Sequence, residues 1–172
     1  YNAATGEISY SYTLAAAETH ATGASENSLF ENFAVTLTDI DNDTTSSTLS
    51  VNIIDDVPTA RPDADIVVAE DAAAVGGNLL TNDTQGADGA AVTSVTIGAT
   101  TTVIAPAGTT TIPTANGVYT FTAAGVWTFD PNPVNSAAPV DDGFSYTITD
   151  GDGDPSTSTQ AISLIDGANP IG

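Results

Sequence analysis

Cysteine and methionine are absent from these 172 residues, and Lys and Arg together number one. Without cysteine there is no disulfide framework, no thiolate zinc site and no cysteine nucleophile. The lone basic residue faces 22 acidic ones, a formal net charge of −21. Such a polyanion repels nucleic-acid phosphate and anionic lipid alike, so no nucleic acid is expected as a partner, and what the chain attracts is cations. No apolar run approaches the roughly 18 residues of a membrane-spanning helix, so no direct membrane insertion is expected. No charged-then-apolar leader is visible, and the chain starts at Tyr1; it is expected to be a piece of something longer, with any secretion address in another part. Histidine is nearly absent too. His20 stands alone, without partners for a zinc site or a Ser/His/Asp triad, and reads as a packed or hydrogen-bonded loop residue. No nucleophile–base constellation is visible, so the chain is not read as an enzyme. Asp141-Asp142 as a glycosidase pair is set aside for want of helper groups.

What is present is strand signal. Hydrophobic residues make up 41% of the chain, enough to build a core, which excludes an acidic disordered tail. Ile8, Tyr10, Tyr12 and Leu14 alternate with Ser and Thr, and Phe33, Val35 and Leu37 repeat the pattern. So do Leu49, Val51 and Ile53, then Val95 with Ile97, Tyr119 with Phe121, Trp127 with Phe129, and Phe144, Tyr146 and Ile148. Gly, Asn, Asp and Pro punctuate the runs. The Ala-rich stretches at 15–17 and 72–74 are too short for helices of weight. The fold class is all-β. The aromatic pairs around Trp127 read as hairpin core, and the Thr runs at 100–102 and 109–111 as outer strand faces.

The chain also repeats itself. Residues 33–55 (FAVTLTDIDNDTTSSTLSVNIID) align without a gap on residues 144–166 (FSYTITDGDGDPSTSTQAISLID), an offset of 111 from Phe33 to Phe144. Each copy reads as strand, acidic turn, strand and acidic exit, and the offset suits an Ig-like β-sandwich. Residues 57–172 make a complete repeat; residues 1–56 hold only the C-terminal half of another, roughly three strands with one apolar face exposed and edges unpaired. The linker Asp55-Asp56-Val57-Pro58-Thr59-Ala60-Arg61-Pro62 is short and holds two prolines, so a stiff joint is expected, with Arg61 ion-paired to linker carboxylates.

The acidic turns suggest a metal. Calcium takes roughly 6–8 oxygens, mostly carboxylate, carbonyl and water, and alternating Asp in a tight turn aims several carboxylates at one point. Asp39, Asp41 and Asp43 do so in the first copy, and Asp150, Asp152 and Asp154 in the second. Neither is an EF-hand, since the sixth position is Thr44 or Pro155 and the twelfth is Ser50 or Ala161. Turn and exit lie one strand apart, roughly 30 Å for nine or ten residues. In an end-to-end tandem the second turn therefore meets the linker, which gathers Asp150, Asp152 and Asp154 near Asp55 and Asp56, with Asp63 and Asp83 as further candidates. The opposite end collects Asp141, Asp142 and Asp166, with Glu70 and Asp71. Several Ca2+ ions are expected, one group tying each domain to the next.

Together, Thr38-Asp39-Ile40-Asp41-Asn42-Asp43, its partner Thr149-Asp150-Gly151-Asp152-Gly153-Asp154, the exit Ile54-Asp55-Asp56-Val57-Pro58, Glu70-Asp71 with Gly77-Asn78-Leu79-Leu80-Thr81-Asn82-Asp83, and Gly86-Ala87-Asp88-Gly89 carry a resemblance. The chain resembles the tandem Ig-like or cadherin-like repeats of large RTX-type adhesins that Gram-negative bacteria export by type I secretion. The resemblance implies calcium at domain ends and joints and a secreted protein on the bacterial cell surface. It also implies an extender role in adhesion and biofilm formation. Neighbouring repeats of the same adhesin are the partners, and host or surface ligands are met only through other domains. It further implies a repeat that stays loose in the calcium-poor cytosol and folds outside. Asn42 departs from the usual Gly of the turn, as does the second exit, Asp166-Gly167-Ala168-Asn169-Pro170. An alternative from the same resemblance is a split repeat whose two halves carry an inserted sugar- or peptide-binding domain. A matching half directly upstream favours the extender, and an unrelated domain there favours the scaffold.

Overall fold

Alternating apolar and hydroxyl residues become a strand where a second such segment comes within backbone reach. The computed structural model describes residues 2, 4–23, 26–133 and 140–167. These form β1 (Ser28–Thr38), β2 (Thr44–Ile54), β3 (Ile66–Ala69), β4 (Val75–Asn78), β5 (Ala90–Ile97), β6 (Thr100–Val103) and β7 (Thr110–Pro113). There follow β8 (Gly117–Phe121), β9 (Val126–Pro131), β10 (Val140–Asp141), β11 (Phe144–Asp150), β12 (Pro155–Gln160) and β13 (Ile162–Ile165). The helical content among the described residues is a 3-10 turn at Leu79–Thr81, capped by the Asn78 side chain, which accepts from the Leu80 N–H. The second exit, residues 166–170, lies outside the described residues from 168 on, as does the end of the 57–172 unit.

The complete unit is an antiparallel sandwich. One sheet has the order β12-β11-β5-β6 and the other β4-β9-β8-β7, while β10-β13-β3 closes the side with β13 parallel to β3. Its core is one cluster between them: Val68, Leu79, Val92, Val95, Ile104, Tyr119, Phe121, Trp127, Phe129, Phe144, Tyr146, Ile148, Ile162 and Leu164. Phe144 stands edge-on to Tyr119, Phe121 and Trp127, with ring centroids 5.6, 5.1 and 5.4 Å away. Burial of each large side chain in this core contributes roughly 1.5–3 kcal/mol. The Thr residues face outward and pair across strands, as Thr96 with Thr101 at 2.8 Å. This is the Ig-like arrangement that the 111-residue offset of the repeat predicts.

The first copy forms β1 and β2, a two-stranded sheet of their own. The repeat is visible in the register: Phe33 faces Leu49 and Thr38 faces Thr44, as Phe144 faces Gln160 and Thr149 faces Pro155. The apolar face is open to water, Phe33 at 43% and Leu37 at 46% exposure. Ile8–Leu14 departs from expectation, for it joins no ladder. It lies instead against the hairpin, Tyr12 edge-on to Phe33 at 6.3 Å and its hydroxyl donating to Glu31 Oε2 at 3.1 Å. Alternation chooses a face, but a strand also needs a neighbour with open N–H and C=O groups, and among the described residues none runs beside this segment.

Candidate metal centres at the acidic turns

The two acidic turns are built alike. In the first, Asp39 Oδ1 accepts from the N–H groups of Asp41 (3.2 Å) and Asp43 (2.9 Å), and the Asp39 N–H donates to the Asp43 carbonyl. In the second, Asp150 Oδ1 accepts from Gly153 (3.0 Å) and Asp154 (2.6 Å), and the Asp150 N–H donates to the Asp154 carbonyl. The fourth turn residue has a left-handed backbone in both, Asn42 at φ 71° and Gly153 at φ 105°, which Asn tolerates and Gly adopts freely. The first turn gathers its own three carboxylates at one point, whereas in the second Asp152 meets Asp154 and Asp150 in two separate groups completed from outside the turn. Asp39, Asp41 and Asp43 are exposed, while Asp150, Asp152 and Asp154 are buried.

What buries the second turn is the joint. Asp55, Asp152 and Asp154 bring carboxylate oxygens within 4.8 Å of one another, as do Asp88, Asp150 and Asp152. Asp152 belongs to both groups, so five carboxylates converge where β2 ends and β5 begins. Asp55 is held from the hairpin side: its N–H donates to the Asn27 carbonyl, and Asn27 Nδ2 donates to Asp55 Oδ2 at 3.1 Å. His20 Nδ1 lies 3.0 Å from Asn27 Oδ1, the hydrogen-bonded loop role expected of it. Asp56 has another task, its Oδ2 accepting from the Ala87 N–H at 2.8 Å and so anchoring the loop that carries Asp88. Gly151 leaves the space Asp88 needs, since a Cβ there would stand 2.5 Å from Asp88 Oδ2.

The electrostatics of this cluster are unfavourable as it stands. Asp150 Oδ2 and Asp152 Oδ1 are buried and receive no hydrogen bond. Burial pushes the Asp150 carboxyl up, with Asp152 beside it adding to the shift. Asp152 is likewise raised by burial, then by the charges of Asp55 and Asp88. A buried anionic oxygen without a donor costs several kcal/mol unless a cation meets it or a proton neutralises it. The donor set, all oxygen and all anionic, suits a hard divalent cation such as calcium.

The other candidates fall into two places. Asp83 Oδ1 accepts from the Arg61 backbone N–H at 2.8 Å, and Tyr146 Oη lies 3.3 Å from both its oxygens. Asp63 adjoins the same hydroxyl, and burial with the charge of Asp83 raises its carboxyl to about 6. These two are thus gathered around Tyr146 rather than in the joint cluster. The Arg61 guanidinium donates to the Asn82 carbonyl at 3.3 Å, and its charge lowers Asp83 against the upward push of burial. At the far end Glu70 and Asp71 follow β3, and the Glu70 N–H donates to the Ile165 carbonyl, which brings them alongside Asp166. Asp141 and Asp142 diverge. Asp141 Oδ1 accepts from the Gly143 N–H, while buried Asp142 accepts from the Tyr119 hydroxyl (3.0 Å) and Asn116 Nδ2 (3.0 Å). That makes Asp142 the buried acceptor for Tyr119, whose hydroxyl is pushed up by burial and by that carboxylate.

Asp88 is the member of the joint cluster that the acidic-turn pattern left out. Its signal was Gly86-Ala87-Asp88-Gly89, where both glycines have positive φ, ahead of a strand whose first residue, Ala90, pairs with Asp150. No curated protein matches the chain. Residues 55–163 match the bacterial Ig domain family. That match opens on Asp55, encloses the sandwich from β3 through β12 and ends inside β13. It covers well over half of the sequence, and the chain belongs to the bacterial Ig domain family.

Proposed function

We propose that this chain is a calcium-stiffened extender segment of a large secreted bacterial surface adhesin, projecting ligand-binding domains for adhesion and biofilm formation. The observation that carries the reading is the pair of buried, donorless oxygens on Asp150 and Asp152 inside a five-carboxylate joint. Asp55, Asp88, Asp150, Asp152 and Asp154 are the residues that would hold calcium there. An ion bound by both Asp55, at the end of the hairpin, and the turn of the next unit links two repeats and cancels local repulsion. The exposed Asp39-Asp41-Asp43 turn is the same device awaiting the exit of a preceding repeat. Sequence likeness to RTX-type adhesin repeats supports type I secretion and a surface location, and the all-oxygen donor set supports calcium.

Thermal unfolding in excess EGTA, in millimolar calcium and in millimolar magnesium tests this. One site at a hundredfold excess over its Kd contributes about 2.7 kcal/mol. In a chain of this size that raises Tm by about 5–10 °C. The rise is expected with calcium and not with magnesium, which demands a smaller, near-octahedral shell. Asp152→Asn should remove most of the rise while melting in EGTA at the wild-type temperature or above. Coincident curves in calcium and EGTA would overturn the proposal.

A further inference from the structure

The internal repeat shows what covers a face that the first copy leaves bare. Phe144 and Ile148 on β11 are 4% and 0% exposed, whereas their counterparts Phe33 and Leu37 on β1 are 43% and 46% exposed. In the complete unit that cover is the aromatic sheet β4-β9-β8-β7, and β11 is also hydrogen-bonded on its second edge by β5. Among the described residues β1 bonds β2 alone, which leaves its other edge without a strand partner there.

The same offset of 111 extends further forward. Gly6-Glu7-Ile8-Ser9-Tyr10 stands on Gly117-Val118-Tyr119-Thr120-Phe121, which is β8. This explains the unpaired alternation of Ile8–Leu14. The segment lies over the hairpin as β8 lies over β11, with Tyr12, two residues past the counterpart of Phe121, edge-on to Phe33. It lacks the flanking strands that β7 and β9 give β8. A cavity of about 220 Å³ bounded by Ile8, Tyr10, Val35 and Leu49 remains between the layers.

We propose that the β1 edge and the open face over Phe33 and Leu37 receive the front half of an Ig repeat carried ahead of residue 1 in the same polypeptide. A β5-like strand would extend β1, and aliphatic side chains such as those of Val68, Leu79, Val92 and Ile104 in the complete unit would pack beside residues 6–10. The occupant is chemically defined by this chain's own residues 57–111, which play that part for β11. The inference rests on packing and strand pairing, independent of the metal reading.

The test is a chain in which residues 57–111 are copied directly ahead of Tyr1. Hydrogen exchange resolved over residues 28–38, together with binding of an apolar fluorescent dye, is compared with the original chain in EGTA and in calcium. Alternate β1 amides should slow by about tenfold or more, because edge amides become ladder amides, and dye binding should fall. Phe33→Asp with Leu37→Asp in the extended chain should abolish both effects while the 57–167 unit keeps its own melting transition. Unchanged exchange and dye binding would overturn the proposal. So would equal protection in the unextended chain that tracks its dimerisation, which would assign the face to a second copy. The calcium shift of the 57–167 transition reports on the joint separately, so either reading can fail alone.

Discussion

Asp63 shares the neighbourhood of the Tyr146 hydroxyl with Asp83, and burial raises its carboxyl from 3.8 to about 6. A folded-state pKa above the unfolded one means that the folded form holds its proton longer. The stabilising contribution is therefore complete below about 3.8 and is lost as pH rises through about 6. Asp83, Asp150 and Asp152 shift in the same direction. In EGTA the chain should thus melt at a higher temperature near pH 4.5 than near pH 7, the reverse of an ordinary paired carboxylate. Asp63→Asn should flatten that slope and raise Tm at pH 7. Asp63 is only half-buried, so solvent screening limits the gain to about 1 kcal/mol or less, about 2–4 °C. Melting curves across pH for both chains check this; a parallel slope in the variant would remove Asp63 from the account. Asp39 runs the other way, its carboxylate favoured by the hydrogen bond with Asp41 and by the turn's own N–H donors.

At the scale of elements, one hairpin design serves twice and differs in what meets its turn, its outer edge and its apolar face. Gly151 is where the two uses part, because a side chain there would collide with Asp88. Gly151→Ala should leave melting in EGTA within about 2 °C of wild type, since Asp88 is exposed and can swing aside. Calcium affinity by titration calorimetry should fall by about 10–100-fold, as for other residues that orient a ligand. Equal affinity would mean that Asp88 takes no part. The strands of the complete unit were legible because Phe144, Tyr146 and Ile148 alternate with Thr and Ser, and so was the meeting of Asp55 with the second turn, through the repeat. Asp88 was not, because its approach depends on which residue of β5 pairs with Asp150, and register is not written in alternation alone. Nor was the task of Asp142, since the hydroxyl it accepts belongs to Tyr119, a residue distant in sequence. Ile8–Leu14 carried the pattern of a strand without the neighbours of one.

For the whole molecule, a charge of −21 makes the relative placement of its two parts a matter of counterions. Without a cation, the carboxylates of Asp55 and of the second turn repel across the joint. With one, they are tied. Small-angle scattering should show a longer, narrower and less flexible particle in calcium than in EGTA at matched ionic strength. Asp55→Asn should bring the calcium profile toward the EGTA one while the 57–167 unit still melts cooperatively. Identical wild-type profiles in the two buffers would show a joint fixed by Pro58 and Pro62 alone.

The parallel pairing of β3 with β13 bears on how such a segment carries load. The polypeptide enters the sandwich just ahead of β3 and leaves it just after β13, and the two strands lie side by side, Ile66 beside Ile162 through Ala69 beside Ile165. Tension applied along the chain pulls β3 backward and β13 forward. The rungs between them are then sheared together rather than peeled apart one by one, so rupture requires the whole ladder to yield at once. A pull on the two ends of this unit would load the β3–β13 ladder in shear along its whole length.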